Sequence, residues 1–298
     1  MRIKKILIII YKTHLKMLCF ILPVLLATAL TVVFAAHNNQ STDNAFYSEN
    51  VSDYSEDIPA YSEGLDASGN IQSPRLAIII DDFGQARSGV KEMMKINRPL
   101  TFAIMPFLAF SEQDATQAHK SGHEVIVHLP MQSTNADKSS WLGPRPIKVF
   151  APEDEIRTIV QDSFDSIPYA VGANIHMGSK ASENERVVSC VMELVKEKGL
   201  YFVDSRTSKK SVCKQVADDL GIKFTSRNVF LEHTSKAKDE IEKQLTLAGD
   251  MAIKNGYAVV IGHVGSEGGK VTAEAIRDMI PVLEQRGIKF VFVSDLFK

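Results

Sequence analysis

The chain has 298 residues, of which 45% are hydrophobic and 23% are charged, and its formal net charge is -2. This length and composition indicate a globular protein with one sizeable domain or two small ones. The charge is unevenly spread, because residues 1–36 carry no acidic side chain and residues 37–74 carry no Lys or Arg. The two signs balance in residues 75–298, so we expect no nucleic-acid partner.

An apolar segment, residues 17–36, directly follows the basic N-terminus. Its 20 residues without a formal charge are about enough to span a bilayer. Because the preceding Lys and Arg side chains would stay in the cytoplasm, we expect residues 1–36 to direct export to the periplasm or another extracytoplasmic space. The segment is either a signal-anchor in the inner (cytoplasmic) membrane, which its length favours, or a signal peptide cleaved near Ala36.

The region after this segment divides into a linker and a folded domain. Residues 37–74 are polar and acidic without helical or strand periodicity, which indicates a disordered linker. In residues 75–298, apolar β-branched runs alternate with stretches of helical periodicity, as expected for a mainly parallel sheet. We predict strands at 76–80, 100–105, 124–129, 171–176, 200–204, 222–225, 257–262 and 288–293. The predicted helices cover 86–96, 111–121, 153–166, 183–198, 211–220, 235–255 and 272–286.

This alternation defines the fold class. Seven or eight mainly parallel strands with intervening helices indicate an α/β fold, a distorted (β/α) barrel. An open doubly wound sheet is the alternative. No glycine-rich dinucleotide motif follows the first predicted strand, and residues 262–272 lack the spacing of a phosphate-binding loop, so we expect no nucleotide ligand. Cys190 and Cys213 lie in predicted helices, which favours reduced thiols over a disulfide framework.

Ionisable side chains recur at the carboxyl ends of the predicted strands. They are Asp81, Asp82, His128, His176, Asp204 and His263. The carboxyl ends of parallel strands meet at one face of the fold, where active sites form, so we expect these side chains to share one cleft. A single Asp or His in such a position is often only a cap, a turn residue or part of the core.

The paired carboxylates and the histidines together indicate a metal site. Asp81 and Asp82 are adjacent and repel each other, and a divalent cation would offset that repulsion. Two histidines and one aspartate, with water in the open position, are typical of a catalytic zinc centre. We therefore predict a divalent metal, Zn²⁺ by preference, at these strand ends.

Six segments of the domain carry further motifs. They are Ile-Asp-Asp-Phe-Gly (80–84), Gly-His-Glu-Val-Ile-Val-His-Leu-Pro-Met (122–131), Asn-Ile-His-Met-Gly-Ser (174–179), Phe-Val-Asp-Ser-Arg-Thr (202–207), Arg-Asn-Val-Phe-Leu-Glu (227–232) and Ile-Gly-His (261–263). In this order they resemble the divergent polysaccharide deacetylase family over essentially all of residues 75–298. The resemblance implies a distorted (β/α) barrel and the metal-assisted removal of acetyl or other acyl groups from an amino-sugar-containing polysaccharide or oligosaccharide of the cell envelope.

The resemblance also implies a metal-binding set. In polysaccharide deacetylases the first motif supplies a catalytic base and then a metal-binding Asp, which match Asp81 and Asp82. His128 matches the first of two metal-binding histidines, but Gln132 stands where the second is expected. We infer that His176, at the end of the next strand, takes the place of the missing ligand.

The last motif implies which residue donates a proton to the leaving group. His263 matches the histidine that acts as general acid, and Asp204 resembles the acidic residue that tunes that histidine. Trp141, in the loop after the third strand, either stacks on a sugar ring or is an ordinary half-buried aromatic residue. Two alternative functions stay open, namely an envelope hydrolase of another amide or ester and a non-catalytic carbohydrate-binding protein that retains the fold.

Overall fold

The computed structural model describes residues 73–85, 87–135 and 141–298. The predicted membrane segment and nearly all of the predicted linker lie outside these residues. Among the helices in the described ranges, none combines the length and the apolar character that a bilayer crossing requires.

A single parallel sheet of nine strands organises the described residues. The strands are β1 (Arg75–Phe83), β2 (Thr101–Ile104), β3 (Glu124–Met131), β4 (Ala170–Met177), β5 (Tyr201–Asp204), β6 (Phe224–Ser226), β7 (Val229–Phe230), β8 (Tyr257–His263) and β9 (Lys289–Val291). Their order in space is β6-β5-β4-β3-β2-β1-β8-β7, and β9 pairs with the first residues of β1.

Helices connect most of these strands and cover one face of the sheet. They are α1 (Val90–Met93), α2 (Ser111–Lys120), α3 (Glu153–Ser166), α4 (Glu185–Glu197), α5 (Cys213–Leu220), α6 (Lys238–Asn255) and α7 (Gly269–Gln285), with short 3-10 helices at Ala181–Glu183 and Val293–Phe297. In α4 the Asn184 side chain accepts a hydrogen bond from Val187 N at 3.1 Å and so caps the helix. The apolar side of α4 packs into the core.

Two consecutive residues bring the two ends of the sheet together. Arg227 N donates to Asp204 O of β5 at 3.0 Å, and Asn228 N donates to Val259 O of β8 at 2.8 Å. The chain thus passes from the β5–β6 end of the strand order to the β7–β8 end within these two residues. The sheet therefore curls into an incomplete barrel with its seam between β6 and β7. The prediction of a distorted (β/α) barrel is confirmed, and the open doubly wound sheet is excluded.

The strands are buried on both faces, which explains their continuous apolar sequences. In β1, Ala77 and Ile79 belong to a cluster in the barrel interior, whereas Leu76, Ile78 and Ile80 pack under the helices. The interior cluster takes residues from several other strands in the same alternation. This alternation also determines which polar side chains at the strand ends can face the interior.

Candidate metal centre

Side-chain alternation places the candidate residues on the inner face of the barrel. In β1 and β8, Asp81 and His263 continue the inward series of Ile79 and Ile261. In β3, His128 lies two residues after the inward Ile126. Asn174 and His176 have the same orientation in β4, because the intervening Ile175 packs under the helices.

Their position then places them at the carboxyl ends of neighbouring strands. Asp81 is level with His263 between β1 and β8, and Asn174 is level with His128 between β3 and β4. The structure therefore brings Asp81, His128 and His263 into one cleft, as the strand-end pattern predicts, whereas Asp204, which was predicted to share it, faces the other side of the sheet.

Asp82 reaches the same cleft because the backbone of β1 is irregular there. The register between β1 and β2 shifts between Ile80 and Phe83, and Asp82 has a φ of 70°, in the left-handed region. In a regular strand, Asp81 and Asp82 would face opposite sides of the sheet. The irregularity lets both adjacent carboxylates face the barrel interior.

Three ligand atoms converge at the centre of this cleft. Asp82 Oδ1 lies 3.4 Å from His128 Nε2 and 3.2 Å from His176 Nδ1. The two histidine nitrogens are 3.1 Å apart. One carboxylate and two imidazoles at this spacing form a candidate site for a metal ion.

The chemistry of these atoms fits a divalent cation. Asp82 Oδ1 is buried and has no aligned hydrogen-bond donor among the described residues. His176 Nε2 lies 2.9 Å from the carbonyl oxygen of Trp141, which can only accept, so a neutral His176 ring would carry its proton on Nε2 and would bind a cation through Nδ1, which faces Asp82. A buried carboxylate oxygen and an imidazole nitrogen that face each other in this way are suited to bind a cation between them.

The two adjacent carboxylates have opposite pKa shifts. Burial raises the pKa of Asp81 above its ordinary value, and the nearby His128 and His263 only partly offset this increase. Burial also acts to raise the pKa of Asp82, but the adjacent His128 and His176 rings outweigh it and hold this pKa well below the usual range. Asp82 is therefore suited to remain a charged ligand, and Asp81 is the better proton acceptor.

Glu232, which follows β7 and ends the sequence motif at 227–232, is a residue of the cleft to which the sequence analysis assigned no role. His263 Nδ1 lies 3.0 Å from Glu232 Oε2, and His263 N donates to Glu232 Oε1 at 3.1 Å. Thr272 Oγ1 donates to the same Oε1 at 2.6 Å. Gly268 leaves room for these contacts, because a Cβ at this position would lie 2.3 Å from Glu232 Oε1. Burial lowers the pKa of His263, but the charge of Glu232 and then those of the cleft aspartates raise it to about 9.

Asp204 does not make the contact with His263 that was predicted for it. Its Oδ1 accepts from Arg206 N at 2.8 Å and its Oδ2 accepts from Ser211 Oγ at 2.8 Å. In β5, Val203 faces the barrel interior, so alternation turns Asp204 to the other face. Glu232 holds the place that the prediction assigned to Asp204.

Gln132 makes hydrogen bonds within the loop that follows β3. Its Oε1 accepts from Val149 N at 2.9 Å, and its backbone N donates to Ile147 O at 2.9 Å. The inferred replacement, His176, lies with Asp82 and His128. Trp141 is 55% exposed, and the contact of its backbone carbonyl with His176 places this residue beside the cleft.

The family model for divergent polysaccharide deacetylases matches residues 78–297. The chain therefore belongs to the divergent polysaccharide deacetylase family, as the sequence motifs predict. Among curated relatives it is 34% identical over 199 residues to the uncharacterised protein YibQ of Escherichia coli K12, a match that covers 67% of this chain and 61% of that protein. It is also 31% identical over 193 residues to an uncharacterised protein of Haemophilus influenzae, with 63% of this chain and 66% of that protein covered. The chain thus spans less than two thirds of the length of both relatives.

A solved structure shows the same fold. An uncharacterised protein of Agrobacterium tumefaciens C58 superposes with a TM-score of 0.69 and 20% sequence identity. The match covers 79% of this chain and 93% of that chain. At this identity the likeness supports the fold and not a particular activity.

Proposed function

We propose that the protein is a metal-dependent deacetylase that removes acetyl groups from an amino sugar in a cell-envelope polysaccharide or oligosaccharide. The observation that carries this proposal is the convergence of Asp82 Oδ1, His128 Nε2 and His176 Nδ1. Membership of the divergent polysaccharide deacetylase family supports the reaction class. Zinc is the preferred cation, because it accepts carboxylate and imidazole ligands and leaves a position open for a reactant.

The cation would be held by Asp82, His128 and His176. When bound, it supplies positive charge that polarises the acyl carbonyl and favours ionisation of water. Asp81 then acts as the general base. Its Oδ1 is occupied by the Asn174 amide at 2.8 Å, which leaves Oδ2 to take the proton from the attacking water.

His263, which is level with Asp81 on the neighbouring strand β8, acts as the general acid. Its Nδ1 is held by Glu232, so Nε2 is the nitrogen available to the substrate. Because the pKa of His263 is raised to about 9, the ring is protonated at neutral pH and can donate to the leaving amine.

Acetate release from defined glycans tests this proposal. The full-length protein, loaded with Zn²⁺, should release acetate from N-acetylated oligosaccharides, and Asp81→Asn should lower the rate by at least about 100-fold, since a general base contributes 10²–10⁴-fold. Asp219→Asn removes an exposed carboxylate of α5 and should leave the rate unchanged. Equal rates in wild type and Asp81→Asn would contradict the mechanism. If the protein binds zinc and cleaves another amide or ester but releases no acetate, the proposed substrate is wrong and the metal-dependent mechanism stands.

We also propose that residues 1–36 export the domain and tether it to the inner membrane. The apolar segment 17–36 and the basic residues before it support this location. Protease added to spheroplasts should digest the domain while a cytoplasmic marker survives, and the domain should sediment with membranes. A domain that survives protease in intact spheroplasts would contradict export.

A further inference from the structure

Asn174 lies between the proposed general base, Asp81, and one of the proposed metal ligands, His128. Its side chain is fully buried at the carboxyl-terminal half of β4. The amide Nδ2 donates to Asp81 Oδ1 at 2.8 Å, and the amide Oδ1 lies 2.7 Å from His128 Nδ1. One side chain therefore touches both the proposed base and a proposed metal ligand.

The direction of these two hydrogen bonds follows from the chemistry of the partners. An ionised carboxylate only accepts hydrogen bonds, so the group that faces Asp81 must be the NH2 of the Asn174 amide. The carbonyl oxygen of the amide then faces His128, and it too can only accept. The proton on a neutral His128 ring must consequently lie on Nδ1.

This tautomer leaves the lone pair on the other ring nitrogen. His128 Nε2 is the atom that lies 3.4 Å from Asp82 Oδ1 and 3.1 Å from His176 Nδ1. A metal ion binds the unprotonated nitrogen of a neutral imidazole, and the hydrogen bond to the second nitrogen decides which one that is. Asn174 thus presents the correct nitrogen to the cation position.

We infer that Asn174 is a positioning residue that sets the His128 tautomer for metal binding and orients Asp81 for proton transfer. This role rests on the proposed function of the site and adds to it a coupling between the ligand and the base. A buried asparagine that only filled the core would contribute to stability and would leave metal affinity and turnover alone. The two roles differ in their effects on chemically matched variants.

The tautomer can be observed directly. Nitrogen NMR of the full-length protein with ¹⁵N-labelled histidine, at a pH where the ring is neutral, reports which nitrogen is protonated, and His128→Gln identifies the signal among eight histidines. The expected result in the wild type is a proton on Nδ1, and Asn174→Leu should move the signal toward the Nε2-protonated form. A wild-type ring protonated on Nε2 would overturn the inference.

Two substitutions separate the two contacts. Asn174→Leu removes both, so zinc affinity and turnover should each fall by roughly 10–100-fold. Asn174→Asp keeps an acceptor for His128 but loses the donor to Asp81 and adds a repelling carboxylate. Zinc affinity should then stay within about threefold of the wild type while kcat falls by at least about tenfold.

Ser205→Ala is the matched control. Ser205 is buried and follows β5, and its Oγ donates to Ile175 O of β4 at 2.8 Å. Its described hydrogen bonds include no contact to Asp81 or His128. The control should leave zinc affinity and kcat unchanged. Wild-type zinc affinity in Asn174→Leu together with an unchanged tautomer would overturn the inference. A wild type with the Nδ1 proton but no zinc binding would support the tautomer assignment and contradict the proposed function, so the two failures are distinguishable.

Discussion

At the scale of single residues, the acid–base assignment depends on the contact between His263 and Glu232. The pKa of His263 is raised to about 9 because Glu232, and then the cleft aspartates, outweigh the effect of burial. Replacing Glu232 by Gln keeps the shape and removes the charge. We expect the pKa of His263 in the metal-free protein to fall toward its ordinary value of about 6.5, measured by an NMR titration.

The sign of the associated stability effect follows from the raised pKa. The contact stabilises the folded state fully below about pH 6.5, and this contribution is lost as the pH rises through about 9. The wild type should therefore lose unfolding free energy over this range, and Glu232→Gln should lose less. An identical pH dependence in both proteins would contradict the assigned contact.

A second residue-scale prediction concerns proton release by His128. Burial lowers the pKa of His128, but Asp81 and Asp82 outweigh burial and raise it above the ordinary value. A proton must leave the ring before Nε2 can bind a cation, so zinc uptake near pH 7 should release protons and weaken as the pH falls. Calorimetry in buffers of different ionisation enthalpy measures the number released. Uptake without proton release would show that His128 is already neutral or is not a ligand.

The site residues differ in how far sequence alone could predict them. Asp81, His128, His176 and His263 all end predicted strands, so alternation and strand position place them correctly. Glu232 ends the motif at 227–232, but its contact with His263 was not predicted, because it follows a strand too short to show periodicity. Asn174 lies inside a family motif, but only the packed structure shows its two partners.

At the scale of elements, the loop between β3 and α3 contains Trp141, which contacts the candidate metal site and is also exposed at the surface. The Trp141 carbonyl accepts from His176, and Trp141 as a whole residue is 55% exposed. Trp141→Ala removes the ring and keeps the carbonyl. If the ring stacks on a sugar, KM for oligosaccharides should rise by about five- to tenfold, which corresponds to about 1–1.4 kcal/mol, while zinc affinity stays unchanged.

Tyr169 provides the control for this loop prediction. It is 51% exposed and precedes β4, at the end of the barrel opposite to the strand ends that hold the site. Tyr169→Ala should leave KM unchanged. A KM that does not change in Trp141→Ala would assign the ring an ordinary surface role.

The eight predicted strands all correspond to strands of the sheet, because their apolar runs are buried on both faces. The missed element is β7, with only Val229 and Phe230. Two residues cannot establish a period of two, and the position of β7 depends on pairing with β8. The predicted contact of Asp204 with His263 was wrong for a related reason, since the alternation within β5 turns Asp204 away from the interior.

At the scale of the whole molecule, the parallel barrel joins residues that are far apart in the chain. Asp81 and His263 are level with each other in neighbouring strands although six other strands separate β1 from β8 in the sequence. The fold class follows from the strand–helix alternation, and the closure at Arg227 and Asn228 does not, because it consists of single backbone hydrogen bonds. The fold thereby supplies the geometry on which the proposed chemistry depends.

X-ray absorption spectroscopy of the zinc-loaded full-length protein tests the central claim most directly. We predict one zinc per chain with two imidazole nitrogens at about 2.0–2.1 Å and carboxylate or water oxygens as the remaining ligands. His176→Ala should remove one imidazole from this set, while His119→Ala, on helix α2, should remove none. Absence of stoichiometric zinc, sulfur ligation, or two imidazoles retained in His176→Ala would contradict the centre formed by Asp82, His128 and His176.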